Sequence, residues 1–549
     1  MSNEPSNVPG PINPDEQPSS ESSALPRRDF LRVASAGAGA FMLGGATAGN
    51  AAPAGAPGIV PGIVPARAIP SATKSPDVVV IGAGLWGSFT AMNLRKMGVN
   101  VTLVDAYGPG NARSTSGDET RGVRSSYGDR TGQQGEMWTL WARESMQRWI
   151  AFDDEWGRDM RQNLFHKTGD LIMRTEWDNF QLRCKVWWDK NKIPYQILKP
   201  DDVKKAFPVI NIDDITAILY EPDAGVVRAR RAAQAAANVF EKLGGKIVIG
   251  RATPSKISNG RLEEISLDTG ATLRADTFVY CVGPWLGKTF PEVFEKKTRT
   301  PMGYVIYFGT PINDQRFTYP NLPSYNFPGV TGWAALPVDN RGFRVRGGER
   351  APTPPMTAED SAAAAAGRGG GRGGRGAGAN AVSADTARGR GAARADSAGR
   401  GGAGAGRGGG RGGNQPEVPP AQQDPDTSDR WANQDRIDTS RRFVTHRFPL
   451  LKDAPVAQTH ACHYESTSSG NFIVDKHPKM SNVLIGAGGN AEGAKFAPTM
   501  GAYIAQRAMG IDGDPAVAKA FRIPEKDYDP PAQPGDSTAA GRRGRPPGI

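Results

Sequence analysis

Cysteine and histidine are scarce in this chain of 549 residues, with three of the first and five of the second. Cys184, Cys281 and Cys462 form an odd set without metal-type spacing, so neither a disulfide framework nor a zinc constellation is implied. The scattered histidines add no ligand cluster, and no metal site is expected. Beyond the N-terminal region the sequence also lacks any apolar run of about 20 residues, the length a bilayer-crossing helix needs. The mature chain is therefore expected to be soluble, with no transmembrane segment.

Core-forming residues are missing from two further stretches. Between Ser361 and Gly413 ("SAAAAAGRGGGRGGRGAGAN…") almost nothing can be buried, and the tail "GDSTAAGRRGRPPGI" is similar. Apolar burial there does not offset chain entropy, so residues 352–423 and 524–549 are expected to be disordered. The net charge of +11 has to be located before it is interpreted. Nine arginines stand against two aspartates from Ser361 to Gly413, a net of +7, and Arg542, Arg543 and Arg545 add three more. Most of the charge thus lies in low-complexity sequence. Arg-Gly repeats are a nucleic-acid-binding composition, but an exported chain rarely meets RNA, so no nucleic-acid partner is expected. A tolerated insertion or a weak contact with an envelope polyanion fits better.

Export is suggested at the other end. "RRDFLRVASAGAGAFMLGGATA" begins with Arg27 and Arg28 and continues as a weakly apolar Ala/Gly run, followed by small-residue patterns such as Ala46-Thr47-Ala48 and Ala52-Pro53-Ala54. This reads as a twin-arginine export signal over residues 1–54 with a linker over 55–75; the competing reading is a surface helix that begins with two arginines. The twin-arginine route carries folded proteins, often with a cofactor already inserted, which implies a periplasmic or extracellular destination and the translocation machinery as a partner.

A cofactor motif follows directly. In "SPDVVVIGAGLWGSFTAMNLRKMGVNVTLVDA", Val78–Ile81 is a buried-strand run, Gly82, Gly84 and Gly87 form GxGxxG, Ser88–Met97 has helical periodicity, and Val101–Val104 is a second strand ending in Asp105. Gly82 permits the tight turn, Gly84 lets the backbone approach a pyrophosphate at the helix N-terminus, and Gly87 allows close helix–strand packing. Asp105, eighteen residues beyond Gly87, is placed to accept hydrogen bonds from a ribose. This is a dinucleotide site, although the motif alone does not separate NAD from FAD.

Several further stretches, in order along the chain, resemble the FAD-dependent D-amino-acid oxidase and sarcosine oxidase superfamily, closest to its monomeric sarcosine oxidase and N-methyl amino acid oxidase branch. They are "STSGDETRGVRSSYGD", "FHKTGDLIM", "EPDAGVVRARRA", "VYCVGPWLGKTFP", "NRGFRVR", "CHYESTSSGNFIVDKHP" and "VLIGAGGNAEGAKFAP". The resemblance implies FAD and an α/β fold in which a Rossmann-type FAD-binding domain interleaves with an antiparallel-sheet α+β substrate domain. The FAD-binding parts would be 76–163, 223–298 and 455–523; the substrate-domain parts would be 164–222, 299–351 and 424–454.

The same resemblance implies roles for individual residues. Arg124 and Lys495 match a pair that clamps the substrate carboxylate, and Arg121 lies nearer the flavin. Cys462 matches the cysteine that holds FAD covalently through a thioether, and Tyr464 matches an aromatic that lines the substrate pocket. Gly488 and Gly489 belong to a glycine-rich turn that approaches the flavin ring. Two departures stand out. "AEGAK" places Glu492 and Ala494 where the family often has an imidazole and an aromatic; a negative charge there favours a substrate with a second cation, or bonds elsewhere. Arg344, in "GFRVR", stands where a lysine promotes electron transfer to oxygen. The implied function is oxidation of the C–N bond of an amino acid or carboxylate-bearing secondary amine, with oxygen or a respiratory carrier as acceptor. The other readings are a dehydrogenase that uses a quinone or soluble carrier, and a weakly catalytic scaffold whose Arg/Gly insertion binds a polyanion.

Overall fold

The computed structural model describes residues 77–337, 341–347, 356–368 and 424–528. The expectations for the signal and linker, for the centre of the insertion and for the end of the tail fall outside the described residues.

The βαβ unit forms from strand Asp77–Ile81, helix Leu85–Lys96 and strand Asn100–Asp105. Its strands pair in parallel, and Val78–Ile81, Val101, Leu103 and Val104 are all buried, as a sheet covered on both faces requires. Gly82 makes the turn at φ +100°, a conformation that disfavours a side chain. Gly87 faces the Gly82 carbonyl so closely that an added Cβ would collide with it, and Gly501 on helix Ala497–Ala508 has the same relation to Phe89. The cofactor helix is thereby held between the sheet and a second helix. The six-stranded sheet runs in the order Ile473–His477, Met480–Ala487, Thr277–Tyr280, Asp77–Ile81, Asn100–Asp105, Lys246–Ile249. All its pairs are parallel except that between the first two strands.

A second, eight-stranded sheet runs Val456–His463, Met302–Phe308, Phe343–Gly347, Val330–Trp333, Ser324–Phe327, Asp170–Arg174, Ala217–Glu221, Gln196–Leu198. The fold is the α/β arrangement expected, two sheets interleaved along one chain, with four corrections of detail. The second sheet is mixed, because Ser324–Phe327 pairs in parallel with Asp170–Arg174. Strand Val456–His463, which carries Cys462, pairs with Met302–Phe308 in that sheet, so the last FAD-binding part begins after His463 and not at residue 455. Residues Ala358–Arg368, at the start of the insertion expected to be disordered over 352–423, form a helix. Its Asp360 accepts from Arg183 Nε at 2.9 Å and from the Gly132 amide at 3.1 Å, with both charged side chains fully buried. Finally, residues 524–528, expected in the disordered tail, pack onto the enzyme: Lys297 Nζ lies 2.8 Å from Asp527, and the Tyr528 and Ser466 hydroxyls are 3.0 Å apart.

The long helix Gly132–Met160 contributes Trp138, Trp141 and Trp149, all fully buried. Each buries enough apolar surface to contribute on the order of 2–3 kcal/mol. Together with Phe472, Phe496 and Phe521 they form an aromatic cluster behind the glycine-rich turn that follows Met480–Ala487.

Candidate functional site

An elongated cavity opens at the C-terminal edge of the parallel sheet, where this topology places ligands. Gly82, Gly84, Leu85, Trp86, Asp105, Ser116, Arg251, Trp285 and Gly489 are among its walls. Gly87 is not a wall residue; its role is the close packing described above. Ser116 Oγ accepts from the Leu85 amide at 3.0 Å and so supplies the helix N-terminus with the cap that Gly84 lacks. Asp105 lines the cavity, and its oxygens accept from the Ala83, Tyr107 and Gly108 amides at 2.7, 2.8 and 2.8 Å. Desolvation by burial nonetheless raises its pKa above the usual carboxylate value. The acid therefore shapes the turn as well as facing the ligand space.

A second, smaller cavity adjoins the first, and the two share Thr115, Arg121, Tyr464, Ala491 and Ala494. Arg124, Trp333, Arg344, Arg346, Cys462, Glu492 and Lys495 are among its other walls. Arg121, Arg124, Arg344, Cys462, Tyr464 and Lys495, drawn from four separate stretches of sequence, thus meet at one place. Gly489 lies on the larger cavity, while Gly488, at φ +77°, donates its amide to Glu465.

Lys495 sits on the 3-10 turn Gly493–Phe496. Trp86 Nε1 donates to the Gly493 carbonyl at 2.8 Å and Trp149 Nε1 to the Lys495 carbonyl at 3.0 Å, so two tryptophans fix the turn's backbone. The ammonium forms an ion pair with Glu492 and lies 5.0 Å from the Tyr127 ring centre. Burial is the dominant influence on its pKa and brings it down to about 8 against the attraction of Glu492. Glu492 is therefore engaged by Lys495 within the site. Arg124 is half-buried and stays firmly charged: desolvation opposes that charge, but Glu492 and Asp170 outweigh it. Its Nε has no hydrogen-bond partner among the described residues.

Arg344 lies mid-strand between Tyr307 and Trp333, its guanidinium 4.0 Å from the Trp333 ring centre. Asp118 is the anion beside it, with Nη2 to Oδ2 at 3.5 Å. Asp118 also pairs with Arg121 and accepts from Tyr307 at 3.0 Å. Burial works against its charge, yet Arg121, His460 and Arg344 hold its carboxyl well below the usual range. Cys462 Sγ is 3.4 Å from Arg121 Nη2.

Three participants are absent from the sequence-based set. Asp118 reads as an ordinary acid in "SGDETR", and only folding brings it to Tyr307, 189 residues away. Glu465 lines the larger cavity fully buried, and burial pushes its pKa up to about 8. Arg346 was legible, since strand alternation puts it on the same sheet face as Arg344. Among the described residues no cluster of His, Cys, Asp or Glu could hold a metal ion, and no helix is long and apolar enough to cross a membrane.

The residues present fit FAD. Gly82 and Gly84 leave the backbone bare at the start of helix Leu85–Lys96, and Glu465 Oε1 is a buried polar atom without a hydrogen-bond partner among the described residues, on the wall of the same space. The family model described as FAD dependent oxidoreductase matches residues 77–507. Human peroxisomal sarcosine oxidase is 23% identical over 79% of this chain and 92% of its own length, and monomeric sarcosine oxidase from a Bacillus species is 22% identical over the same shares. Among solved structures, fructosamine oxidase (Amadoriase II) from Aspergillus fumigatus superposes with a TM-score of 0.59 at 18% identity, covering 82% of this chain and 90% of that one. Glycine oxidase from Bacillus cereus gives 0.56 at 16% identity, covering 83% and 100%. This chain belongs to the FAD-dependent oxidoreductase family, within the D-amino-acid oxidase and sarcosine oxidase superfamily.

Proposed function

We propose that this protein oxidises the C–N bond of an amino acid or secondary amine that bears a carboxylate. The observation that carries the reading is the meeting of Arg124 and Lys495 on a small buried cavity that adjoins the dinucleotide space through Arg121 and Tyr464. The relatives named above include oxidases of sarcosine, fructosamine and glycine by name, which supports an amine substrate. FAD, held in the dinucleotide cavity, would supply the two-electron oxidising chemistry, and the substrate imine so produced would be hydrolysed by water. The chain's part is to orient and desolvate. Arg124 and Lys495 hold the carboxylate by charge-assisted hydrogen bonds, with Lys495 dividing its donors between the substrate and Glu492. Tyr464 and Trp333 wall the cavity.

A dehydrogenase reading is favoured by one feature, Arg344. A compact ammonium stabilises developing superoxide as a point charge, whereas the Arg344 guanidinium lies 4.0 Å from the Trp333 ring centre with Asp118 beside it. One experiment addresses both readings: anaerobic mixing with N-methyl, cyclic and primary amino acids, then admission of oxygen in a stopped-flow instrument. Bleaching of the flavin by carboxylate-bearing amines, but not by their amides, is expected. Slow reoxidation by oxygen is expected too, quickened about tenfold by Arg344→Lys, or roughly 1.4 kcal/mol of barrier. Equal use of acid and amide removes the clamp; rapid reoxidation unchanged by the lysine removes the dehydrogenase reading.

We also infer export by the twin-arginine route to the periplasm or beyond, which rests on Arg27 and Arg28 before the Ala/Gly run. Replacing both with lysine is expected to leave flavin-loaded protein in the cytoplasm on cell fractionation. Unchanged export overturns the inference.

A further inference from the structure

The small cavity holds more positive charge than one substrate carboxylate uses. Five cationic side chains line it: Arg121, Arg124, Arg344, Arg346 and Lys495. Two are paired at short range, Arg121 with Asp118 and Lys495 with Glu492. Asp118 is also the only anion beside Arg344 among the described residues, at 3.5 Å, and there it is already shared with Arg121. Arg124 feels Glu492 and Asp170 at longer range, and Asp170 is itself shared with Arg174.

Donor atoms remain unused. Arg124 Nε, Arg344 Nε and Arg344 Nη1 are buried without a hydrogen-bond partner among the described residues. Arg346 makes no hydrogen bond or ion pair among them, and burial, the largest influence on it, lowers its pKa against the pull of Glu492 and Tyr464. A buried guanidinium left without an acceptor is costly, because the donors have lost water and gained nothing. Such a cost persists where a ligand supplies the acceptors.

The positions of these groups are consistent with two anionic subsites. Arg124 follows strand Arg121–Val123 and feels Tyr127, and Lys495, on its turn, lies 5.0 Å from the Tyr127 ring centre. Arg344 and Arg346 project from one face of strand Phe343–Gly347, two residues apart, on the side of Trp333 and Tyr464. Gly303, opposite Cys462 in the neighbouring strand, leaves room there: an added Cβ would lie 3.6 Å from the Tyr464 ring and 3.8 Å from Arg346 Nη2.

We propose that the substrate is a dianion: an amine carrying two carboxylates, one held by Arg124 and Lys495 and the other by Arg346 with Arg344. The inference rests on the reading of this cavity as the amine site. The guanidinium fork of Arg346 takes the second carboxylate in a two-pronged contact that an ammonium does not reproduce.

The test is binding to the flavin-loaded protein, followed through the visible spectrum of the bound flavin and by calorimetry. Two sulfur analogues that are not oxidised serve as probes, thiodiacetate with two carboxylates and (methylthio)acetate with one. Thiodiacetate is expected to bind at least about tenfold more tightly, the range for one added charge-assisted contact. Arg346→Met is expected to bring the two affinities within about twofold by weakening thiodiacetate alone, and Arg346→Lys to recover part of the difference. Equal affinities in the wild type overturn the proposal, as does a preference that Arg346→Met leaves intact. Should Arg346→Met fail to fold, the wild-type ratio and its change in Arg346→Lys decide. Failure of the parent reading looks different: no amine of any kind bleaches the flavin, whatever the two acids do.

Discussion

Cys462 sits beside a fixed positive charge, and that neighbour governs whether its sulfur can act as a nucleophile. Burial by itself raises a thiol pKa; here Arg121 and a hydrogen bond with His460 outweigh burial and lower it. Cys281 shows the contrast, since burial without such a partner pushes it up to about 12. Covalent attachment of FAD at Cys462 follows as an expectation. Acid-precipitated wild-type protein should keep fluorescent flavin on a denaturing gel, and Cys462→Ala should lose it. Arg121→Met removes the charge that favours thiolate, so the pKa rises and attachment should shift to higher pH; complete release of flavin from the wild type ends the idea. At this scale the sequence was readable where a short motif carries the residue, as in "CHYE". It was not readable for Asp118 and Glu465, whose character depends on partners contributed by distant strands. The counter-ion of Arg344 among the described residues, Asp118, is likewise far away in sequence.

Elements were legible in proportion to how local their signals are. The βαβ unit reads directly because strand period, glycine spacing and helix period coincide within 29 residues, Asp77–Asp105. Sheet membership is a different matter: Val456–His463 has the alternation of a strand, but nothing in it says which sheet it joins. Helix Ala358–Arg368 was hidden by low-complexity composition, although "AEDSAAAAAGR" is rich in helix-forming alanine. Its anchor, the buried Arg183–Asp360 pair, is a tertiary contact. A second anchor stands at the far end of the insertion. Asp426 accepts from Trp285 Nε1 at 2.8 Å, Arg251 at 2.9 Å, Lys288 at 2.6 Å and the Tyr107 hydroxyl at 3.1 Å, all four being walls of the dinucleotide cavity. This segment straps the cavity's rim. In a Cys462→Ala background, where attachment does not mask exchange, Asp426→Ala is expected to speed FAD release about tenfold, the equivalent of one or two lost charge-assisted bonds. Fluorescence recovery of released FAD measures it. An unchanged release rate means the strap holds only protein to protein.

Across the whole molecule, the chain passes repeatedly between the two sheets, and the insertion leaves and rejoins it at two separately anchored points. Asp360 fixes the departure on Arg183, and Asp424 and Asp426 fix the return on Lys288 and Arg251. Residues 369–423, outside the described residues, carry eight of the chain's arginines. Loop length itself costs little, since closure entropy grows only with the logarithm of length. Exchanging residues 369–423 for an uncharged Gly/Ser stretch of equal length is accordingly expected to leave flavin content, melting temperature and turnover unchanged. What should change is adhesion to polyanions: the native chain is expected to be retained on heparin in a salt-dependent way, since arginine contacts release counterions, and the exchanged chain to elute at lower salt. Retention that survives the exchange assigns the binding to the folded body. A fall in flavin content would instead show that the segment supports the strap, and would place the insertion within the cofactor's enclosure.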